Sequence, residues 1–377
     1  MKIAIHNAQI SYHIGGTERL IFSQIMNLLK FPNVEIHLIT SKTKNPSSFY
    51  EKLKSLQDLR FIITEFDSVE SLDIKEIYTS NNPNKWHLES ITFGSNASSF
   101  YEDKKFDLVV THFSTDSMFI PKKFKNVLHL HGYPSGYSEI GELALDRPDA
   151  LISVSKYVRD QWIELYPKLN DKCISVVYPG IDTDKFRNMN MERENDIIFV
   201  GRFILIKGIS YLLDAISSSK NIKSIILVGD GPEKSNIFKK IQELGLEDKI
   251  DVKSNISDKD LIDLYNTSKI SVFPSYAKEG MGLTMLEASS CGCVPIVSNA
   301  CSMPEFLKHN SNGLLFEPKN SKQLSEEIER CLLDKFFRSK LSEKAMQDIQ
   351  NDWTNEKRVL ELYEKYKEIV DKDEQGS

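Results

Sequence analysis

The strongest constraint on this chain is a repeated alternation. A short β-branched run is followed by a turn, and then by a longer stretch in which apolar residues recur at helical spacing. In the first half the runs are KIAIHN (2–7), VEIHLIT (34–40), DLVVTH (107–112), NVLHLHG (126–132), ALISVS (150–155) and CISVVYPG (173–180). In the second half they are DIIFVGR (196–202), SIILVGDG (224–231), KIDVKS (249–254), KISVFPS (269–275), CVPIVSN (293–299) and the weaker GLLF (313–316). Runs of this type between helical patterns indicate parallel strands buried on both faces. Two sets of them predict two doubly wound, Rossmann-like α/β domains. The length of 377 residues agrees, since one core rarely serves more than about 250 to 300 residues.

The polar, strand-free stretch GIDTDKFRNMNMERENDI (180–197) separates the two sets and is the expected linker. The predicted organisation is a first domain over 1–185, a second over 186–355 and a C-terminal helix over 356–370, free to pack back on the first domain. A charged, frayed tail over 371–377 follows. Composition narrows the function classes. Hydrophobic residues make up 40% and charged residues 27%, the balance of a soluble globular protein. A net charge of −6 gives no basic signature for nucleic acid. No apolar run reaches the ~18 residues of a membrane span, and the N-terminus reads as strand and loop, so a cytoplasmic address is expected. The five cysteines (Cys173, Cys291, Cys293, Cys301 and Cys331) are odd in number and do not form a disulfide framework. Cys291-Gly-Cys293 lacks a second pair or a nearby histidine to complete a metal site, and reads as small buried residues.

Doubly wound sheets bind ligands beyond the carboxyl ends of their strands, and between two such sheets the cleft is the default site. Chemistry-bearing residues sit at those ends. Arg202 directly follows a run, and Lys207 lies five residues later beside Gly208. Together they suit a diphosphate, although alone they could be surface cations flanking a turn. In KEGMGLTMLEASSCGCVPIV (278–297), Gly280 and Gly282 open a helix whose free amides suit an anion. Glu279 precedes that helix, where a carboxylate also suits the dipole. Glu287 falls among residues that should be buried, so it needs either a protein partner or a ligand. Gly15 and Gly16 precede the first helix as an anion cradle of similar type, but without the Walker or dinucleotide fingerprint. The turn after Gly229 is explained by turn chemistry alone. His131 ends a strand, with His129 on the same face, and is as readily structural as catalytic. Asp182-Thr183-Asp184 reads as a turn and helix-cap cluster, not a metal site.

Together these residues resemble the retaining glycosyltransferases of the GT-B fold, the large group that carries an E-x7-E motif. EGMGLTMLE, from Glu279 to Glu287, is similar to that motif. GRFILIKG is similar to the family's G-R-[LF]-x-x-x-K-G element, and VYPGIDTDKF to its hinge, with Pro179 where asparagine is usual. GGTER resembles the family's Gly-Gly loop and HLHG its cleft histidine. The resemblance implies two domains facing each other across a cleft and transfer of a sugar from a nucleoside-diphosphate sugar, UDP before GDP, to an acceptor hydroxyl. The anomeric configuration would be retained, with no metal and no cofactor. By resemblance the catalytic set is His131, Arg202, Lys207 and Glu279. The donor-binding set is Gly15, Gly16, Gly229, Gly280, Met281, Gly282, Leu283, Thr284 and Glu287. Expected partners are the nucleotide sugar and a glycan, lipid-linked or small-molecule acceptor, in polysaccharide or glycolipid biosynthesis. A GT-B sugar-nucleotide epimerase, or a non-catalytic protein that binds a sugar nucleotide, is the alternative. Lys104, Lys105, Lys122, Lys123 and Lys125 read as a solvated face, with peripheral contact at an anionic membrane surface as the other reading.

Overall fold

The computed structural model describes residues 1–70, 83–134 and 138–371. The tail expected from 371 lies outside the described residues, apart from Asp371, which ends the last helix. The chain divides into two compact units, Met1–Pro179 with Asn355–Ser377, and Gly180–Thr354.

The first unit is built on strands β1 (Lys2–His6), β2 (Glu35–Ser41), β3 (Phe61–Phe66), β4 (Leu108–Thr111), β5 (Lys125–Leu130), β6 (Ala150–Ser153) and β7 (Ile174–Val176). They pair in the order β3-β2-β1-β4-β5-β6-β7, with all pairs parallel. Ile3, Leu38, Leu108 and Val127 are buried at the sheet centre, as near-continuous apolar runs require. β3 is an addition to the sequence reading. It lies at the sheet edge and leaves Ile62 48% exposed. The helix Asn355–Asp371 belongs to this unit: Val359, Leu362, Tyr363 and Tyr366 join its core, and Tyr363 stacks on Phe31 with ring centroids 4.4 Å apart.

The second unit carries β8 (Asn195–Val200), β9 (Ile225–Val228), β10 (Ile250–Lys253), β11 (Ser268–Phe273), β12 (Val294–Ser298) and β13 (Leu314–Phe316). These pair in the order β10-β9-β8-β11-β12-β13, again all parallel. The order reverses between β8 and β11, as it does between β1 and β4 in the first unit. Such reversals open a crevice at the carboxyl ends of the strands.

The sequence-based boundary at 185/186 falls inside the second unit. Ile181 N–H donates to Trp353 O at 2.9 Å, Ser290 Oγ donates to Phe186 O at 2.5 Å, and Met189 N–H donates to Asn266 Oδ1 at 2.7 Å. The expected linker is therefore bonded along its length to one unit. Apolar Ile181 and Phe186, each buried, anchor this polar stretch.

Candidate functional site

In the second unit the reversal point collects most of the predicted residues. Arg202 leaves β8 through Gly201. Its guanidinium is exposed and makes no hydrogen bond or ion pair among the described residues. Lys207 closes the short turn Leu205–Lys207, and Gly208 after it has φ 68°. A Cβ at Gly208 would lie 2.1 Å from Pro274 O, so this loop and the end of β11 meet backbone to backbone. Tyr276 N–H donates to Ile206 O at 3.1 Å across the same contact. The docking delivers Lys207 Nζ to the Glu279 carboxylate, 72 positions away in sequence, and the two form an ion pair. Ser275 Oγ also donates to Glu279 Oε2 at 3.4 Å. Lys278 takes φ 58°, an uncommon conformation for a residue with a side chain, immediately before Glu279.

The Gly229-Asp230-Gly231 turn buttresses this loop. A Cβ at Gly229 would come 2.0 Å from Gly201 O, and one at Gly231 2.4 Å from Phe203 O. Phe203 N–H donates to Asp230 O at 2.8 Å. Gly280, Met281 and Gly282 lead into the helix Leu283–Ser290, where Gly282 packs so closely that a Cβ would meet Met303 Cε at 2.9 Å. Leu283 N–H already donates to Met281 O at 2.9 Å, while Thr284 lies in the helix's first turn. Glu287 is 2% exposed, and the Tyr265 hydroxyl reaches its Oε2 at 3.5 Å. This one unit thus offers an unpaired guanidinium, a lysine held by a carboxylate and the start of a helix. Such a set suits an anion esterified to a polyol.

In the first unit, Gly15 caps the helix Gly16–Leu28. The Glu18 carboxylate turns back to accept the Gly15 N–H, the N-terminal half of a capping box. A Cβ on Gly15 would lie 2.6 Å from Glu18 Oε2. The anion cradle expected here therefore holds an acid of the chain itself. Burial raises the Glu18 pKa, and the neighbouring His13 opposes that rise.

His131, just beyond β5, is partly exposed, and His129 is buried. His129 Nε2 lies 2.8 Å from the Tyr366 hydroxyl, and His131 Nε2 lies 2.7 Å from Nδ1 of His112. Burial pushes His131 down to about 4 and the other two well below the usual imidazole range. The sequence reading passed over His112 and Tyr366. His112 had a usable signal, because it ends the run DLVVTH as His131 ends NVLHLH. Tyr366 sits 237 positions from His129, and nothing local marks it.

The remaining candidates have local roles. Asp182 Oδ1 accepts the backbone N–H groups of Asp184 and Lys185 at 3.1 and 2.9 Å, a cap, and Lys185 pairs with Asp258 at 2.7 Å. Lys123 bonds the Glu102 carbonyl at 2.5 Å, and Lys104 lies over the Phe100 ring. All five cysteines are free thiols, and burial pushes Cys293 up to about 12. No helix among the described residues is long and apolar enough to cross a membrane.

Two parallel Rossmann-like sheets in one chain are the architecture of the GT-B glycosyltransferases. The chain belongs to these enzymes: residues 180–348 match the model of glycosyl transferases group 1, and residues 14–185 that of glycosyltransferase family 4. Among curated relatives, an uncharacterized glycosyltransferase of Methanocaldococcus jannaschii is 26% identical over 375 residues, covering 89% of this chain and all of the relative. The N-acetyl-alpha-D-glucosaminyl L-malate synthase of Bacillus anthracis is 24% identical over 280 residues, 68% of this chain and 71% of the relative. Among solved structures, sucrose-phosphate synthase of Thermosynechococcus elongatus superposes with a TM-score of 0.80 at 18% identity, covering 98% of this chain and 99% of that one. Anabaena HepE in complex with UDP gives 0.75 at 18% identity, covering 98% of this chain and all of that one. At these identities the structural likeness speaks to the fold alone.

Proposed function

We propose that the protein is a retaining, metal-independent glycosyltransferase that moves a hexose-type sugar from a nucleoside-diphosphate sugar to an acceptor hydroxyl. UDP is the preferred carrier. The observation that carries this reading is the Lys207–Glu279 ion pair beside the helix Leu283–Ser290, with the open guanidinium of Arg202 just after the same strand, β8. Cleaving the glycosyl–phosphate bond leaves negative charge on a diphosphate. Two cations and a helix start stabilise that charge without a metal. To bind the diphosphate, Lys207 turns from Glu279, and the released carboxylate is then an acceptor for sugar hydroxyls. The amide of Thr284 and the backbone at Gly280, Met281 and Gly282 line the same approach, with Glu287 toward the ribose. In the retaining step the acceptor oxygen bonds to the anomeric carbon on the face from which the phosphate departs, and the departing phosphate oxygen takes the acceptor's proton.

The UDP complex of HepE supports the choice of carrier. A relative in Campylobacter jejuni is named as an N-acetylgalactosaminyltransferase acting on a diphospho-undecaprenol sugar. It is 28% identical over 183 residues, 48% of this chain and 47% of the relative, and supports a role in glycan or glycolipid assembly.

The test is calorimetric titration of UDP, GDP and ADP, each with and without EDTA, followed by turnover with the sugar nucleotides of the base that binds. UDP is expected to bind equally well in chelator and about tenfold more weakly to Arg202→Ala, the loss of one charge-assisted contact. Lys207→Ala is expected to lower turnover by ~10² to 10³. Binding that needs a divalent ion, or full turnover in Lys207→Ala, overturns the reading. Conversion of donor without any acceptor would identify an epimerase instead.

A further inference from the structure

His112, His129 and His131 gather at the carboxyl ends of β4 and β5, with ring centroids 5.0, 5.0 and 5.8 Å apart. Their nitrogens converge as metal ligands would. The spacing argues otherwise. Two nitrogens on one zinc, each ~2.0 Å from it in tetrahedral geometry, stand roughly 3.3 Å apart. His112 Nδ1 and His131 Nε2 are separated by 2.7 Å, a hydrogen bond with one proton between them.

The direction of that bond follows from the other nitrogen of His112. His112 Nε2 is buried and has no hydrogen-bond partner among the described residues. If His131 were the donor, the neutral His112 would carry its proton on Nε2, leaving a buried N–H without an acceptor. If His112 is the donor, Nε2 is only an unmet lone pair. Orphaned buried donors are rarer and more costly than under-used acceptors. Both rings stay neutral near pH 7, because burial holds their imidazolium forms at lower pH.

We infer that His112 donates its Nδ1 proton to His131 Nε2, and so fixes His131 in the tautomer that carries its proton on Nδ1. His131 then offers an N–H donor, not a base, to whatever binds beyond β5. Its partner, which rests on the glycosyltransferase reading and on the place of His131 in the catalytic set that the resemblance implies, is then an oxygen of the donor sugar or of the acceptor. The acceptor's proton must go elsewhere, to the leaving phosphate. His112 is a positioning residue that acts through His131. The pair is flanked by further titratable groups: His129 with its partner Tyr366, and His6 from β1.

The test combines ring-nitrogen NMR of 15N-histidine-labelled protein with steady-state kinetics. In the wild type, His131 should show the Nδ1–H tautomer. His112→Asn keeps an N–H close to where Nδ1 stood, and should preserve both that tautomer and turnover. His112→Leu, of similar size, removes the donor. It should free the His131 proton to redistribute and lower kcat about tenfold, with KM for the donor nearly unchanged. A wild-type spectrum with the His131 proton on Nε2 overturns the inference, and it does so even if His112→Leu fails to fold. Equal kcat in His112→Leu and His112→Asn also overturns it. If the Nδ1–H tautomer is present but no sugar nucleotide is turned over, the tautomer assignment stands and the glycosyltransferase reading fails.

Discussion

Gly208 shows how much a single missing side chain determines here. Its φ of 68° already disfavours any other residue, and a Cβ would stand 2.1 Å from Pro274 O, a backbone atom that cannot swing aside. Gly208→Ala should therefore push the Lys207 turn off the end of β11. The expected cost is about 2 to 4 kcal/mol in urea unfolding, with UDP affinity lost in the molecules that remain folded. An alanine variant with wild-type stability and affinity would show that the loop-to-strand contact does not place Lys207. The cations and carboxylates of this site were legible in the sequence because each follows a recognisable strand run. The Lys207–Glu279 pair was not legible, since it joins residues 72 positions apart through the Gly208 contact. The His112–His131 bond was hidden for a related reason. Each histidine was readable as a strand end, but that β4 and β5 are neighbours is a property of the sheet.

At the scale of the element, twelve strand runs were legible in the sequence, and the structure places a strand in each of them and adds β3. β3 escaped notice because an edge strand pairs along one side only and is less buried, so that it can carry Glu65 and a half-exposed Ile62. The segment 180–197, expected as a linker because it is polar and strand-free, is bonded into the second unit. Polar residues can hold a segment down as firmly as apolar ones when buried carbonyls await them. Arg193 illustrates this: its guanidinium donates to the carbonyls of Tyr265 at 3.2 Å, of Ser268, and of Cys291 at 2.8 Å. Removing it would leave those carbonyls without that partner. Arg193→Ala should lower the stability of the second unit by ~2 to 4 kcal/mol, and Arg193→Lys should restore only part, because a point charge cannot span three acceptors. Denaturant midpoints for the pair decide it: if both variants unfold like the wild type, the segment is a tether and not a part of the fold.

At the scale of the whole molecule the two units differ in how they hold histidine. His6, His37, His87, His112, His129 and His131 all lie in the first unit, and burial lowers each of them, His6 to about 3 and His37 to about 4. The second unit has His309 alone, and its side chain is 38% exposed. A base whose folded pKa is depressed contributes stability that is present above its unfolded value, near 6.5, and lost as pH falls toward the folded value. Wholly buried His6 alone removes about 1.4 kcal/mol per pH unit over that window. Carboxyls in the same unit act in the other direction. Burial raises Asp116 to about 8 and raises Glu18 and Glu89 as well, so their contribution is full below about pH 4 and declines as pH rises. Below about pH 6.5, where the buried imidazoles must take up protons, the expected outcome is a loss of stability in the first unit. Hydrogen exchange by mass spectrometry at pH 7.5 and 5.5, corrected for intrinsic rates, should show β1, β4 and β5 losing protection while β8 and β11 keep theirs. Asp116→Asn tests the sign independently. It removes a group that opposes the acid loss, so the first unit should become more stable at pH 8, where the wild-type carboxyl is being forced to ionise, and gain little at pH 4. Equal loss of protection in both units on acidification, or an Asp116→Asn protein weakened most at pH 8, would mean that these buried groups do not govern the response to pH.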